Sequence, residues 1–599
     1  MGITAIKHIT NNSSQAVFIH NHENPSNSVT INPNSTATID IWIPWCTSQS
    51  DWQWNHYLSV EQPNASSTLC WIWQQDNFVR YSTDGQFHDQ GTHVPGVAQI
   101  DADRLLTINP DNSIIFMPDL ILPGDYRAFA GALLQALMGW YDHANPLYPF
   151  NNGFWFTTGW WNSANALEAV IDYSRLTQSS AYYATISYTF ATCRPGNPFF
   201  GVQANFLTNA VDDEGWWALT WIKAYDLTGM QDYLNMAESI FQDMANYWSC
   251  VLGGGIPWKK SQPDSKGCIQ NELFITVAAR LYQRTSNATY LTWAIRGWNW
   301  FEQSHLIGTQ NDANNNVVQN LVNDALGSPA TFPATPWPGD PIYTYTQGVI
   351  IGGLVDLYKC TGAPWLLQQA HTIAHAVITP NPICSLVDAN GILWEKMCEP
   401  TNTCEPDGTQ FKGIFIRNLA YLHQTDPRDE YRTFILNNAA SIIFNNRNNA
   451  NQCGLHWAGP VDATDASRQS SALDALNAAI PFAWSAVFVS QSVPTSLTTG
   501  QGATVQITMK NTGTTTWSAN EITPPVRLGS QNPQDNTTWG TNREDVTFPV
   551  APGMTISFSF AIRAPSTAGS YAFQWRMVQE TVTWFGDFTP TVMINVTGI

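Results

Sequence analysis

Three consecutive carboxylates, Asp212, Asp213 and Glu214, stand directly before the aromatic run Trp216-Trp217-Ala218-Leu219-Thr220-Trp221. Paired carboxyl groups can break a glycosidic bond: retention of configuration requires them about 5 to 5.5 Å apart, and inversion roughly 6.5 to 9.5 Å. Two close carboxylates also repel, which raises the pKa of one and keeps it protonated as an acid. An acidic first helical turn, favoured by the helix dipole, is the structural alternative.

The surrounding pattern places this triplet where a loop meets a helix, because apolar residues recur with a helical period near 214–228. Neighbouring side chains diverge by about 100° in a helix and about 180° in a strand, so neither element directs both at one atom. At a junction, Asp212 can keep non-helical dihedral angles while Asp213 begins the helix. We therefore predict that the two carboxylates converge on one site.

The composition indicates an extracellular sugar-handling protein. Charged residues make up 12% of the chain, about half the roughly 25% of ordinary soluble proteins, and 27 Trp are present. Amides and hydroxyls hydrogen-bond to uncharged sugars, and indole rings stack on them. A net charge of −20, without Lys/Arg clusters or a long apolar stretch, argues against nucleic acid and membranes as partners. Residues 1–20 lack the apolar block of a secretory signal.

Three domains are predicted. Residues 1–118 alternate apolar and polar positions in short runs, which predicts a small Trp-rich β domain and a possible carbohydrate-binding module. In its segment Asp51-Trp52-Gln53-Trp54-Asn55, a period of two puts both indoles on one sheet face, as core or as an exposed sugar platform. Residues 490–599 return to this alternation, and a β segment of this length suggests an immunoglobulin-like sandwich.

Residues 119–489 carry a helical period instead. Apolar residues recur at helical spacing near 126–141, 161–176, 180–193, 214–228, 231–249, 270–285, 289–304, 345–360, 364–377, 411–424, 429–445 and 470–489. Twelve helices in one region predict an (α/α)6 barrel, two concentric helical rings. An open α-solenoid is the alternative, but it normally shows a repeated motif, and none is seen. The long loops between these helices are predicted to build a binding cleft.

Six separated segments within this region carry a resemblance. They are Trp160-Trp161-Asn162-Ser163-Ala164-Asn165, Asp212-Asp213-Glu214-Gly215-Trp216-Trp217, Gly253-Gly254-Gly255-Ile256-Pro257-Trp258, Asn271-Glu272-Leu273-Phe274, Tyr343-Thr344-Tyr345-Thr346-Gln347-Gly348 and Phe411-Lys412-Gly413-Ile414-Phe415. In this order and combination they resemble glycoside hydrolase family 76, the endo-α-1,6-mannanases and their fungal wall transglycosylase relatives, which are (α/α)6 barrels. The resemblance covers roughly residues 150–425.

The resemblance implies a retaining, double-displacement cleavage of α-1,6-mannosidic links in a cell-wall polysaccharide. Asp212 would be the nucleophile that forms a covalent glycosyl intermediate, and Asp213 the acid/base. A transglycosylase of the same fold and a non-catalytic carbohydrate-binding surface protein are the alternatives. The chain departs from the family pattern at Val211, where an aromatic residue is usual, and at Gly267–Gln270, where Lys-Asn is usual. These departures bear on the exact substrate more than on the reaction.

Nine further residues are predicted to contact the sugar. They are Trp161, Asn162, Asn165, Trp217, Glu272, Tyr345, Gln347, Phe411 and Lys412. Each has a structural alternative: the two Asn could cap a helix, Glu272 could be a charge at a helix N-terminus, and Lys412 could face solvent. Because Trp216 and Trp217 lie about 100° apart on a helix, at most one of them faces the sugar.

A second resemblance covers the C-terminal segment alone. Trp517, Trp539, Trp575 and Trp584, with Lys510-Asn511-Thr512-Gly513, resemble the four-tryptophan immunoglobulin-like domain of selective-autophagy receptors, which has bacterial relatives. It implies a fold and not an autophagy role.

No cofactor and no metal is expected, and the expected partner is a mannan-type polysaccharide bound by a monomer. The sequence contains no CxxC pair and no HExxH, and no GxGxxG or Walker motif opens a helix. Residues 311–316 offer oxygen ligands at alternate positions but lack the final Glu of a calcium loop, which favours an Asn-rich turn.

The ten cysteines allow short disulfide loops. Candidate pairs are Cys398 with Cys404, Cys250 with Cys268, and Cys46 with Cys70. Buried free thiols are the alternative, since an even number of cysteines permits disulfides without requiring them.

Overall fold

The computed structural model describes residues 4–598, with the exception of 12, 34, 64–66, 96–102, 109–111, 119–125, 142–152, 156–158, 312–316, 327–330, 334–340, 381–383, 389 and 519–524. Most of the Asn-rich segment 311–316 therefore lies outside the described residues. Two compact units are present, one formed by Met1–Asp125 with Pro481–Ile599 and the other by Tyr126–Ile480. No helix in the described ranges is long and apolar enough to cross a bilayer.

The N-terminal region forms two β-sheets, with strand orders β4-β1-β8-β9 and β3-β2-β5-β6-β7. Its elements are β1 (Ala5–Asn11), β2 (Val17–Asn21), β3 (Val29–Ile31), β4 (Ser35–Trp42), α1 (Gln49–Gln53), β5 (Leu58–Gln62), β6 (Ser67–Gln75), β7 (Phe78–Ser82), β8 (Asp103–Ile108) and β9 (Ile114–Pro118). Aliphatic residues from both sheets, including Ile9, Ile19, Val60 and Leu106, share one buried core. The predicted β character of this region is therefore present.

The two indoles of residues 51–55 do not lie on a strand. Ser48 caps α1 by accepting a hydrogen bond from the Asp51 backbone N–H, so the segment is helical. Trp52 stacks on Tyr57 with ring centroids 4.2 Å apart, whereas Trp54 is 75% exposed. The prediction that a period of two puts both on one sheet face is wrong, because the local cap favours a helical turn.

The described residues of the second unit form twelve α-helices and one hairpin. The helices are α2 (Tyr126–Met138), α3 (Trp160–Thr177), α4 (Tyr183–Cys193), α5 (Val211–Thr228), α6 (Gln231–Asn246), α7 (Cys268–Thr285), α8 (Ala288–Gln303), α9 (Thr344–Thr361), α10 (Pro364–Ile378), α11 (Phe411–Thr425), α12 (Asp429–Asn445) and α13 (Ala466–Ala479). The hairpin pairs β10 (Ile307–Asn311) with β11 (Val317–Val322).

The odd-numbered helices from α3 to α13 form a closed ring. Each contacts the next in sequence, and α13 contacts α3. These inner helices are buried on most of their circumference, as in α7, where Cys268 to Leu281 are buried without a break. A helix buried all round needs neighbours on every side, which the outer helices supply. Pairs such as α5 with α6 and α7 with α8 pack inner against outer helices.

The C-terminal region forms one three-stranded sheet, β12-β14-β17, and one sheet built around β13-β20-β18-β15-β16, with β19 beside β18. Its strands are β12 (Ala486–Ser492), β13 (Ser496–Thr498), β14 (Gly502–Asn511), β15 (Val526–Gln531), β16 (Arg543–Asp545), β17 (Thr555–Arg563), β18 (Gly569–Gln579), β19 (Thr583–Phe585) and β20 (Val592–Thr597). Trp517, Trp539 and Trp575 belong to its buried core. The first strand begins at Ala486, slightly before the predicted boundary at residue 490.

Of the three candidate cysteine pairs, the structure forms one. Cys398 and Cys404 are disulfide-bonded, whereas Cys46, Cys70, Cys250 and Cys268 are free thiols. The bond closes a short loop just before α11.

Candidate active site

Asp212 and Asp213 both lie in the first turn of α5. The helix begins at Val211, after an extended Ala210 with φ −90° and ψ 112°, so the expected non-helical Asp212 is not found. The two side chains still reach the same space, because Cα–Cβ bonds tilt toward the helix N-terminus and first-turn side chains project past its end. Glu214 is buried instead, where it accepts a hydrogen bond from the Thr208 backbone N–H at 2.6 Å and pairs with Lys260.

Asp212 and Asp213 line a cleft with a volume of about 690 Å³, within the usual range for a ligand site. Its wall combines the N-terminal ends of inner helices with the loops before them. The principal lining residues are Trp161, Asp212, Asp213, Trp216, Trp258, Asp264, Lys266, Asp324, Tyr343, Tyr345, Thr403, Glu405, Asp407 and Phe411. Predicted loops 251–268, 305–344 and 380–410 all contribute.

A glycine-rich loop brings Trp258 to the Asp pair. Three successive glycines, Gly253 to Gly255, have positive φ, and a Cβ on Gly255 would lie 2.8 Å from Asn271 Oδ1. That Asn271 oxygen accepts from the Ile256 backbone N–H at 2.9 Å, which fixes the loop on α7. Trp258 then donates its indole N–H to Asp212 Oδ2 at 3.1 Å. This hydrogen bond connects the motif at 253–258 with the motif at 212–217.

The environment separates the roles of the two acids. Burial raises the pKa of both above the ordinary carboxyl range. Next to burial, the negative charges of Asp212 and Asp407 raise the pKa of Asp213 further. For Asp212, hydrogen bonds from backbone N–H groups and from Trp258 oppose the rise. These differences favour the proton on Asp213 and the charge on Asp212.

Aromatic rings form one wall of the cleft. Tyr345 stacks on Phe411 with ring centroids 3.9 Å apart, and Trp161 stacks on Trp216 at 5.7 Å. Phe411 lies 6.2 Å from Trp161 and joins the two pairs. The faces of such rings suit the apolar faces of sugar rings. Of the predicted sugar contacts, Trp161, Tyr345 and Phe411 therefore lie at the cleft.

Trp217 is not at the cleft. Its side chain has no exposed surface and packs against Trp160, Phe206 and Trp221. Trp216 lines the cleft in its place. The expectation that only one of the two faces the site agrees with this geometry, but the choice of Trp217 is corrected to Trp216, because the rotation of α5 is set by its buried aromatic face.

Asn162 and Asn165 lie behind the cleft wall rather than in it. Asn162 donates to Gln410 Oε1 at 2.9 Å and thereby links α3 to the residue before α11. Asn165 donates to the Trp161 carbonyl at 3.2 Å and accepts from Arg417. Both side chains are buried, so their amides position neighbouring elements.

Glu272, Gln347 and Lys412 are also buried and do not line the cleft. Gln347 exchanges two 2.8 Å hydrogen bonds with the backbone of Val322. Lys412 pairs with Glu399 at 2.9 Å, and not with the Asp pair. Neither oxygen of Glu272 has a hydrogen-bond partner among the described residues. Burial, with the nearby charge of Asp324, raises the pKa of Glu272 well above its usual range.

Several lining residues were not predicted. Asp407 accepts from the Trp161 indole N–H at 3.0 Å, and Asp324 accepts from the Tyr345 hydroxyl at 3.2 Å. Both acids lie in loops without a recognisable motif. They reach the site because the inner helices close into a ring. Trp258 and Trp216, in contrast, lie inside motifs that were recognised.

Lys266 is the one cation that lines the cleft in the part of the chain described, and it does not neutralise the acids. Its ammonium group donates to the Ser249 hydroxyl at 3.0 Å and to the Val251 carbonyl at 2.5 Å, among other backbone oxygens. Burial lowers the pKa of Lys266 to about 8. Asp212, Asp213 and Asp407 thus face the cleft without an ion-pair partner among the described residues.

Comparison with known families decides the assignment. A sequence model described as "Glycosyl hydrolase family 76" matches residues 126–487, which is more than half of the chain. The chain belongs to glycosyl hydrolase family 76. The predicted resemblance is thereby confirmed, and the match includes all six motifs. A second model, the "Ig-like domain from next to BRCA1 gene", matches residues 493–597.

Curated relatives of this family 76 chain are fungal. Mannan endo-1,6-alpha-mannosidase DCW1 of Candida glabrata is 26% identical over 315 residues, covering 50% of this chain and 66% of the relative. Mannan endo-1,6-alpha-mannosidase DFG5 of Candida albicans is 26% identical over 341 residues, covering 54% of this chain and 72% of the relative. The chain thus spans about two thirds of the length of these relatives.

A solved structure supports the same fold. The crystal structure of Dfg5 from Chaetomium thermophilum in complex with glucosamine is 19% identical, with a TM-score of 0.50. The similarity covers 59% of this chain and 90% of that chain. At this identity the likeness shows a shared helical barrel fold.

Proposed function

We propose that this family 76 chain is a retaining, endo-acting glycoside hydrolase that cleaves α-1,6-mannosidic or closely related links in a cell-wall polysaccharide. The observation that carries the proposal is the convergence of Asp212 and Asp213 on one aromatic-walled cleft. The names of the relatives, mannan endo-1,6-alpha-mannosidases, support the substrate class.

The environments of the two acids support distinct roles. The Asp212 carboxylate, stabilised by the Trp258 N–H, attacks the anomeric carbon while protonated Asp213 gives its proton to the departing sugar oxygen. A covalent glycosyl-Asp212 ester results. Asp213, now a carboxylate, then removes a proton from water, whose oxygen attacks the same carbon and releases Asp212. The configuration at the anomeric carbon is retained after two inversions.

Replacement of Asp213 by Asn tests the mechanism. We expect Asp213→Asn to bind a mannan oligosaccharide normally but to lose turnover by about 10²- to 10⁴-fold, as removal of a general acid–base does. Asp264→Asn, at an exposed carboxylate of the same cleft, is the matched control and should keep its activity. Normal turnover in Asp213→Asn would remove this residue from the mechanism.

Product analysis separates hydrolysis from its alternatives. A hydrolase creates new reducing ends with or without an acceptor sugar, whereas a transglycosylase joins chains when an acceptor is present. A non-catalytic binding protein leaves the polysaccharide length unchanged after prolonged incubation. A panel of differently linked mannans identifies the bond, and the configuration of the first product, measured by nuclear magnetic resonance, tests retention.

A second candidate function, polysaccharide binding, is favoured by one surface of the N-terminal region. Trp54 is 75% exposed and follows two residues after Trp52, whose ring stacks on Tyr57. Exposed aromatic rings suit insoluble polysaccharide, which presents many sugar faces. A truncation to residues 119–489 should keep its activity on soluble mannan and lose part of it on insoluble mannan. Equal activity of both forms on both substrates would contradict this role.

Other features belong to the same proposal. We regard the closed helical ring as an (α/α)6 barrel and the C-terminal sheets as an immunoglobulin-like sandwich, in three domains at 1–118, 119–489 and 490–599. The low content of charged residues and the Cys398–Cys404 disulfide support an extracellular location. A monomer acting on mannan completes the proposal, and gel filtration with light scattering tests the oligomeric state.

A further inference from the structure

One face of the five-stranded N-terminal sheet brings two histidines and a glutamate together. Burial alternates along β2, where Val17, Ile19 and Asn21 are buried and Phe18 and His20 face the other way. His22 continues this spacing just past the strand. In the antiparallel pairing with β5, Phe18 is opposite Glu61 and His20 is opposite Ser59. Directly opposed residues point to the same face, so Glu61 meets the histidines.

The three side chains present their ligand atoms to one point. His20 Nδ1 lies 3.4 Å and His22 Nε2 lies 3.8 Å from the same oxygen, Glu61 Oε1. One ligand atom from each residue lies within 4.8 Å of the other two. A tetrahedral ion with bonds of about 2.0 to 2.1 Å separates its ligand atoms by about 3.3 Å, so small side-chain rotations are sufficient to enclose one.

The site is open enough for an ion to enter and ordered enough to hold it. The side chains of His20, His22 and Glu61 are 30%, 22% and 29% exposed, so each reaches solvent. The imidazole rings of His20 and His22 stack with centroids 3.8 Å apart, which limits their rotation. Their main chains belong to, or directly adjoin, a hydrogen-bonded sheet rather than a long loop.

The Ser59 hydroxyl contacts the same ligand atoms. It is buried, donates to Glu61 Oε1 at 2.5 Å and lies 2.8 Å from His22 Nε2. An ion bound to His22 Nε2 would replace the contact of that nitrogen with Ser59, whereas the hydrogen bond from Ser59 to Glu61 can remain. A bound ion would take the lone pair of an imidazole nitrogen, and any proton on that nitrogen would be released to solvent.

We propose that His20, His22 and Glu61 form a binding site for one divalent transition-metal ion of the zinc class, with a fourth position open to water or a ligand. Two imidazoles and one carboxylate are a ligand set suited to Zn²⁺, and three protein ligands leave such an ion one open position. The site is independent of the proposed hydrolytic function, since it lies in the other compact unit.

This proposal departs from our expectation that the chain has no metal site. A His-x-His pair on a strand carries little information by itself, and Glu61 is distant in sequence. Only the register of β2 against β5 brings the carboxylate to the pair. A conventional motif search finds sites whose ligands are close along the chain, which explains why no HExxH or CxxC pattern signals this one.

Zinc binding by the untagged full-length protein tests the proposal. After removal of metal with a chelator, the wild type is titrated with Zn²⁺ against a chromophoric competitor, and bound metal is measured by elemental analysis. We expect His20→Ala and Glu61→Gln to bind one ion fewer, or to bind it at least tenfold more weakly. Co²⁺ should give a visible absorption band in the wild type that is lost in His22→Ala.

His88→Gln is the matched control. His88 lies 2.9 Å from Asp84 in the same region but forms no group of three potential metal ligands among the described residues, so its loss should leave zinc binding unchanged. Melting curves recorded in chelator show whether each variant is folded. Zn²⁺ should raise the melting temperature of the wild type and of His88→Gln only. Equal zinc stoichiometry and affinity in folded wild type, His20→Ala and Glu61→Gln would overturn the proposal.

Discussion

The inner helices carry acids at both ends of the ring, but the two groups of acids are treated differently. At the N-terminal ends, Asp212 and Asp213 face the cleft without an ion-pair partner among the described residues. Toward the C-terminal ends, Glu168, Asp172 and Asp474 are paired with cations, among them the half-exposed Arg175 beside Asp172. Lys223 contacts Glu168 and Asp172, and Arg417 contacts Glu168 at 3.0 Å and Asp474 at 3.2 Å.

The pKa values follow this difference. The cations Arg417 and Lys223 hold the pKa of Glu168 below its usual value despite burial, and Lys223 does the same for Asp172. Burial and the negative charges of Glu168 and Asp172 raise the pKa of Asp474 to about 8, although Arg417 opposes the rise. One proton therefore stays in the paired group. At the cleft, the pKa values of Asp212 and Asp213 are both raised.

The comparison indicates which buried acids of the ring are suited to chemistry and which to stability. Buried acids with partners lock helices together, and loss of one partner leaves an uncompensated charge. Buried acids without partners keep an unfavourable environment that a substrate or a proton can relieve, and this is the condition that acid–base chemistry needs. The paired end should therefore govern stability, and the cleft end activity.

Removal of Arg417 should have the largest effect on stability. Its side chain is 8% exposed and bridges α11 to Glu168 on α3 and Asp474 on α13. Arg417→Leu leaves Asp474 without an ion-pair partner among the described residues and Glu168 with Lys223 alone, and we expect the free energy of unfolding to fall by about 3 to 5 kcal/mol. Urea denaturation at neutral pH measures the change.

Arg175 provides the control for this prediction. It is 49% exposed and lies 3.5 Å from Asp172 in the same group of acids. Because exposed ion pairs contribute little, Arg175→Leu should cost no more than about 1 kcal/mol. Equal losses in the two variants would show that the buried network does not hold the ring.

Removal of the ionisable group of Asp213 should act in the opposite direction and to a smaller extent. The pKa of Asp213 is raised in the folded protein, so above the ordinary carboxyl pKa the unfolded chain releases a proton that the folded chain retains. This difference lowers wild-type stability as pH rises from about 4. Asp213→Asn cannot ionise, so it should melt at a higher temperature than the wild type at pH 7.

The same argument requires the gap in melting temperature to narrow as the pH falls toward 4, where the unfolded chain also begins to retain the Asp213 proton. Thermal melting of both proteins between pH 4 and pH 8 measures it. Asp264→Asn, at an exposed carboxylate, should follow the wild type throughout. A destabilised Asp213→Asn at pH 7 would show that the folded protein favours the Asp213 charge.

Most of the helical ring could be predicted from the sequence, because apolar residues recur at helical spacing in most of its helices. The pattern at 429–445 coincides with α12. The last pattern, 470–489, does not: α13 ends at Ala479, and the apolar run continues into β12 beyond Pro481, where the helical period ends. The hairpin β10–β11 was missed because two short strands inside a long polar loop give too few positions to show a period.

The sequence predicted the site residues that are neighbours along the chain, and it missed those that approach from distant segments. Asp212 and Asp213 are neighbours, so one helix end positions both. Asp407 and Asp324 approach them through ring closure, which no local pattern encodes. The choice between Trp216 and Trp217 depended on the rotation of α5, and that rotation is set by contacts with other elements.

Substitution of Asp407 should have the smallest effect, and it tests the comparison most specifically. Its charge raises the pKa of Asp213 and of Asp212. In Asp407→Asn both pKa values should fall, because a negative neighbour is removed. The pH profile of kcat/KM, bell-shaped because Asp212 must be charged and Asp213 protonated, should therefore move to lower pH on both limbs. The substitution keeps the oxygen that accepts from the Trp161 indole, so activity at the optimum should stay within about tenfold.

Glu405→Gln is the matched control, because Glu405 lines the same cleft but pairs with Arg468 and is not among the groups that raise the pKa of either acid. Its pH profile should stay in place. If the profile of Asp407→Asn also stays in place, the Asp407 charge does not set the pKa values of Asp212 and Asp213. Burial alone then explains why these pKa values differ from those of the ion-paired acids at the opposite end of the ring. If only the alkaline limb moves, Asp407 acts on the proton donor alone. Movement of both limbs places Asp212, Asp213 and Asp407 in one electrostatic unit, in contrast to the acids at the opposite end, which are controlled by their cations.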